Sequence, residues 1–142
     1  MYLDTAILVK LFVGEPDSEF FGRLVDGQVV SSSLLAYTEV WSALLGKERA
    51  DAITAEQRRR AWTTFARNVS EELITLAPMN EAVFKRANRI LDQCHPKVAL
   101  RSLDALHLAC CDQLQDWPLC TNDVRMRQAA VLLGFPLTPN PS

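Results

Sequence analysis

A chain of 142 residues has room for one compact domain with one sizeable core, residues 1–142 forming a single unit, and excludes a multidomain machine. Its 49% hydrophobic and 23% charged residues are an ordinary globular mix, and a net charge of -2 excludes a global pull toward nucleic acid, leaving only a local basic patch or metal-mediated contact. Asp4 and Lys10 interrupt the apolar start and speak against a signal peptide, and no apolar run is long enough to span a bilayer, so a soluble cytoplasmic protein with no membrane contact is expected.

In chain order, residues 2–4 predict a short strand and residues 5–13 a helix with Ile7, Leu8, Leu11 and Phe12 on one face. Gly14-Glu15-Pro16 breaks it, and Asp17 or Ser18 caps a second helix through Val25. Residues 28–31 predict a strand that ends in a serine run, with Ser32 or Ser33 capping a helix to about Gly46. A charged helix over about 54–71 has Trp62, Phe65 and Val69 as its apolar stripe, and residues 73–76 predict a third strand. Pro78-Met79-Asn80 opens a helix to about Cys94, and Ser102 caps another to about Gln115. Residues 118–121 predict a fourth strand, residues 123–133 a last helix ended by Gly134, and residues 135–138 an edge strand. Strands alternating with helices predict an α/β fold, a mainly parallel sheet covered on both faces.

The cysteines Cys94, Cys110, Cys111 and Cys120 show no CxxC spacing. The last three sit in apolar contexts, read as small core residues, and together with a cytoplasmic setting suggest reduced thiols.

Four acids stand at the punctuation points of this pattern: Asp4 after the first strand, Glu39 inside an apolar helical run, Asp104 in the first turn of the helix from Ser102, and Asp123 after the last strand. Singly, Asp4 reads as an N-cap and Asp104 and Asp123 as first-turn dipole partners. Glu39 is harder to explain: its helical neighbours Leu35, Ala36, Ser42 and Ala43 are apolar or small, so the carboxylate needs a partner, with an Arg or Lys as the structural alternative to a metal. In open α/β sheets ligands bind beyond the carboxyl ends of the strands, and all four acids fall on that edge. Together they make an oxygen-rich cage suited to Mg²⁺ or Mn²⁺.

The segments that carry these acids, Met1-Tyr2-Leu3-Asp4-Thr5-Ala6-Ile7, Ser31-Ser32-Ser33-Leu34-Leu35-Ala36-Tyr37-Thr38-Glu39, Ser102-Leu103-Asp104-Ala105-Leu106-His107-Leu108-Ala109 and Thr121-Asn122-Asp123, resemble in order and spacing the motifs of PIN-domain proteins, especially VapC-type toxins. The resemblance covers essentially the whole chain. It implies a three-layer α/β/α sandwich and a Mg²⁺- or Mn²⁺-dependent endoribonuclease. It also implies inhibition by a cognate antitoxin and a homodimer. Carried onto this sequence, it implies Asp4, Glu39, Asp104 and Asp123 as the acidic quartet, with Asp4 and Asp104 the principal metal ligands. Thr5 keeps the hydroxyl often found after the first acid, and Thr121 keeps the hydroxyl of the last motif, where it orients a water or a phosphate.

Around this core, His107, one turn after Asp104, reads as a helix-packing residue in preference to a general base. Arg58, Arg59, Arg60 and Arg67 read as a solvated or partner-facing helix face as readily as an RNA contact, while Lys10, Arg101, Arg125 and Arg127 lie nearer the acids in sequence and read as RNA-steering groups. Two other classes compete: a non-catalytic interaction module of the same fold, and a phospho-accepting signalling domain, for which the stretch after Leu119 lacks the required lysine.

Overall fold

The computed structural model describes residues 1–141. Its elements are β1 (Tyr2–Leu3), α1 (Thr5–Phe12), α2 (Ser18–Val25), β2 (Val30–Ser33), α3 (Leu35–Arg49), α4 (Ala55–Ser70), β3 (Ile74–Ala77), α5 (Glu81–Cys94), α6 (Ser102–Leu114), β4 (Leu119–Cys120) and α7 (Val124–Leu133). The strands form one sheet in the order β3-β2-β1-β4, with every pairing parallel. Tyr2 lies opposite Ser31 on one side and Leu119 on the other, and Val30–Ser33 run in register with Ile74–Ala77.

Successive strand residues face opposite ways. Tyr2 and Leu119 therefore join the apolar cluster under α5, α6 and α7, while Leu3 and Cys120 join the one under α1, α2, α3 and α4. Helices cover both faces of the sheet, which is the expected three-layer α/β/α sandwich, and even the serines of β2 are buried. The chain steps outward from β1 to β2 to β3 and then crosses back to place β4 on the other side of β1. The point where the order reverses, between β1 and β4, is where such sheets open a crevice at their carboxyl edge.

Several local expectations change. Ser32 and Ser33 are not helix caps but the end of β2: Ser32 Oγ donates to the carbonyl of Leu3 at 2.7 Å, and Ser33 Oγ accepts from the Leu35 N–H at 3.0 Å. The α3 N-cap is Leu34, which makes no side-chain cap bond, and the helix runs on to Arg49. Asp17 occupies its cap position but bonds Lys10 at 2.8 Å instead of capping, and Ser18 folds back onto Glu15 and Val13. Ser102 is the first residue of α6, not its cap. The predicted edge strand at 135–138 reduces to one bridge, Leu119 to Leu137, beside β4. Gly134 ends α7 as expected, at φ +77°, a conformation that side chains rarely adopt.

Candidate functional site

The crevice at the reversal point is built by short strands that hand over to helices. β1 has two residues, so Asp4 follows at once as the α1 N-cap, and its Oδ1 accepts from the Ile7 N–H at 3.0 Å. Thr121 leaves β4 at the same level, and its hydroxyl donates to the other oxygen of Asp4. One hydrogen bond therefore ties the two strands together at the crevice floor. Asp123, two residues on, caps α7 through Oδ1 to the Met126 N–H at 2.9 Å, and its own N–H donates to Thr121 Oγ1 at 3.1 Å. For Asp4 and Asp123 the cap and the site are not rival explanations. One oxygen serves the helix and fixes the rotamer, which aims the other.

Asp104 lies in the first turn of α6, where Oδ2 accepts from the Arg101 N–H and Nε, each at 3.3 Å. Arg101 also approaches Asp123 Oδ2 at 3.8 Å. Its side chain is 65% exposed, so this loose bridge is worth little and is easily displaced. Glu39, on α3, accepts through Oε1 from the Thr5 hydroxyl at 2.8 Å and meets His107 Nε2 at 2.6 Å. Its protein partners are thus a histidine and a threonine, and the purely structural alternative, a pairing with Arg or Lys, is not what is found.

All four acids line one open cavity of about 550 Å³, together with Thr5, Lys10, Glu15, Lys47, Arg101 and His107. Thr121 lies beneath it, wholly buried, and reaches it through Asp4. The two most enclosed acids are Asp4, 5% exposed, and Asp104, 9% exposed. Burial pushes the Asp4 carboxyl above its ordinary value; the bonds from Thr121 and Ile7 and the nearness of His107 oppose that, and Asp123 adds to it. Burial also works to raise Glu39, but the hydrogen bond and charge of His107, and then Thr5, outweigh it and hold Glu39 below the ordinary range.

The donor set is carboxylate and hydroxyl oxygen, which suits a hard cation. Among the described residues, no three His, Cys, Asp or Glu side chains converge closely enough to enclose an ion by themselves. That arrangement fits Mg²⁺ or Mn²⁺, which keeps several waters and takes one or two carboxylates, and a buried carboxylate that burial has driven up is the group a cation would relieve.

The cations of the sequence fall into different roles. Lys10 and Lys47 both reach Glu15, at 3.6 and 3.2 Å, and stand on the cavity wall. Lys47 was not legible as a site residue, since it lies far along α3 from Glu39. Arg127 is no steering group: it donates to the carbonyls of Thr121 at 2.8 Å and Thr138 at 3.0 Å and fastens the tail beside β4. Arg58 pairs with Glu48 and lies over the Trp41 ring, away from the cavity.

Thr121→Val keeps shape but removes the hydroxyl, leaving a buried Asp4 oxygen and the Asp123 N–H short of a partner. A loss of about 1–3 kcal/mol is expected, read as a lower melting temperature, with Thr121→Ser close to the parent. A Val variant that melts with the parent would mean the Asp4–Thr121 bond holds nothing.

A family model described as PIN domain matches residues 1–132. Ribonuclease VapC46 of Mycobacterium tuberculosis (strain ATCC 25618 / H37Rv) is 35% identical over 138 residues, covering 95% of this chain and 93% of that protein. A solved structure described as a toxin-antitoxin complex from Klebsiella pneumoniae has a chain that superposes with a TM-score of 0.56 at 19% identity, over 87% of each chain, a likeness of fold alone. With the family model spanning nearly the whole chain and a relative at this identity over nearly its full length, the chain belongs to the PIN domain family.

Proposed function

We propose that this chain is a Mg²⁺- or Mn²⁺-dependent endoribonuclease, the toxin of a VapBC-type toxin–antitoxin pair, cleaving RNA phosphodiester bonds in the crevice between β1 and β4. The observation that carries the reading is the placement of Asp4, Glu39, Asp104 and Asp123 around one cavity, with the most enclosed of them, Asp4, met only by a hydroxyl and an amide. PIN-domain ribonucleases generally depend on divalent metal, and the relative at 35% identity is named a ribonuclease.

In this reading Asp4 and Asp104 hold the ion, and Glu39 and Asp123 complete its surroundings directly or through water. The ion, when bound, neutralises phosphate charge, lowers the pKa of its water and steadies the leaving oxygen. Thr121 and Ile7 keep Asp4 in the rotamer that faces the cavity. Lys10, Lys47 and Arg101 on the wall offset the phosphate charge that the acids would repel. This answers how a chain of net charge -2 handles RNA: the positive groups are few but stand where the phosphates pass. The chain acts in the cytoplasm as a homodimer until a cognate antitoxin binds it.

The test is cleavage of a mixed RNA substrate by the purified protein. Cleavage should stop on chelation and return when Mn²⁺ is restored in excess. Cleavage that persists after exhaustive chelation would overturn the metal-dependent reading. A folded protein that neither cleaves RNA nor melts higher with Mn²⁺ would favour a PIN-fold interaction module without catalysis.

A further inference from the structure

The two oxygens of Glu39 are treated unequally. Oε1 meets both Thr5 Oγ1 at 2.8 Å and His107 Nε2 at 2.6 Å. Among the described residues, Oε2 takes no protein hydrogen bond, and Glu39 lines the cavity. His107 is itself 4% exposed, and its second ring nitrogen, Nδ1, lies 2.8 Å from the hydroxyl of Tyr2, a fully buried residue of β1. The two rings meet edge to face, with centroids 6.0 Å apart. A buried histidine satisfied at both nitrogens is held against rotation and against ring flipping.

The chemistry of the partners sets the proton. An ionised carboxylate only accepts, so Nε2 must carry the hydrogen that Glu39 receives. Nδ1 meets the Tyr2 hydroxyl, a group that can both donate and accept and so holds the ring in place at that nitrogen. One chain of bonds thus links Tyr2, His107 and Glu39.

We infer that His107, anchored at Nδ1 by the Tyr2 hydroxyl, is a positioning residue that saturates one oxygen of Glu39 and so presents the other to the divalent cation or its bound water. This rests on the metal-dependent reading of the cavity. Groups that orient a metal-facing carboxylate in this way typically change metal affinity or activity by about 10–100-fold when removed. Thr5 alone cannot replace the bond, because the threonine hydroxyl leaves Glu39 free to turn about it, whereas two donors from α1 and α6 fix the plane of the carboxylate.

The experiment is a Mn²⁺ titration followed by the loss of the free-ion electron paramagnetic resonance signal, with folding checked by circular dichroism. His107→Phe should weaken Mn²⁺ binding about 10–100-fold. His107→Gln, whose amide nitrogen overlays Nε2, should recover most of that loss. His107→Asn, which reaches only the Nδ1 position, should not. Tyr2→Phe should give a smaller loss in the same direction. In a Glu39→Gln background His107→Phe should cost little more, since the two act through one oxygen. If His107→Phe fails to fold, the Gln and Asn variants and Tyr2→Phe carry the comparison. Parent-like Mn²⁺ binding by a folded His107→Phe or His107→Asn overturns the inference, as does an undiminished His107 effect once Glu39 is Gln. A parent protein that binds no Mn²⁺ overturns the metal reading and the inference together, whereas a parent that binds with indifferent His107 variants overturns the inference alone.

Discussion

Asp4→Asn is expected to lose about 10³-fold in RNA cleavage and yet to melt at a higher temperature than the parent protein when no metal is present. The first half follows from what the ion supplies, several kcal/mol of charge stabilisation in the transition state, at about 1.4 kcal/mol per factor of ten. The second half follows from where Asp4 sits. It is a nearly buried carboxylate, its charge met by neutral donors, and burial holds its pKa above the ordinary value. Asn has the same shape, can accept from the Ile7 N–H, can turn its amide to donate to Thr121 Oγ1 in place of the bond that Asp4 accepts there, and carries no charge to bury. Activity and stability are therefore opposed at this one position.

The sign of the pH dependence is fixed by the same shift. A carboxyl whose pKa is higher folded than unfolded binds more protons in the native state between the two values, so the folded state gains stability as pH falls through that window. Above the raised folded value the parent carries the full penalty and Asp4→Asn has its full advantage. As pH drops toward the ordinary carboxylate range the advantage shrinks, and below that range it is gone. Mn²⁺ should reverse the order: the parent is stabilised by mass action, by about 2.7 kcal/mol at a hundredfold excess over Kd, and melts higher, while the variant does not. Thermal melts with and without Mn²⁺ at several pH values check all of this. An Asn variant that still cleaves, or one that melts below the parent without metal, would remove Asp4 from the centre of the site.

How the four acids come together was legible because each stands at a place where the pattern changes period. Asp4 and Asp123 follow strands, and Asp104 opens a helix, so their place on one sheet edge needs only the parallel topology. The serines of β2 misled for a physical reason. Ser is favoured at N-caps, yet the same hydroxyl can sit in a buried strand if a carbonyl or amide is close, and Leu3 O and Leu35 N supply those here. The strand order, which puts Thr121 beside Asp4, has no local signature. Neither has the bond between Tyr2 and His107, residues that lie 105 positions apart. A partial signal for His107 was present: a histidine on the apolar stripe of α6 must find hydrogen-bond partners when buried, and the two candidates with matching needs were a carboxylate stranded in an apolar helix and a hydroxyl in the first strand. Arg127 was misassigned because nearness in sequence to Asp123 says nothing about direction. Its guanidinium runs to two backbone carbonyls that no side-chain pattern announces.

Phe65→Ala is expected to cost about 3–5 kcal/mol, a large part of the roughly 5–15 kcal/mol that holds a domain together. Phe65, on α4, is fully buried and packs edge-on against Phe12 of α1 at 5.6 Å between centroids, with Trp62 at 5.5 Å and Tyr37 of α3 at 6.4 Å. The lost ring leaves a cavity between three helices, and the walls of that cavity cannot close without moving the helices that carry the site. α1 carries Thr5 and α3 carries Glu39, whose mutual hydrogen bond bridges them at the cavity rim. Asp4 and Thr121 are tied to the sheet instead, through β1 and β4, so the damage should fall unevenly on the two sides of the crevice. The variant should melt more than about 10 °C below the parent. Its Mn²⁺ affinity, measured well below that transition, should weaken through Glu39, and far less than in Asp4→Asn. Phe65→Leu, which keeps most of the volume, should stay within about 1.5 kcal/mol of the parent. If Phe65→Ala melts within about 3 °C of the parent, α4 is not the element that holds α1 against α3, and the position of Glu39 must be set from the His107 side alone.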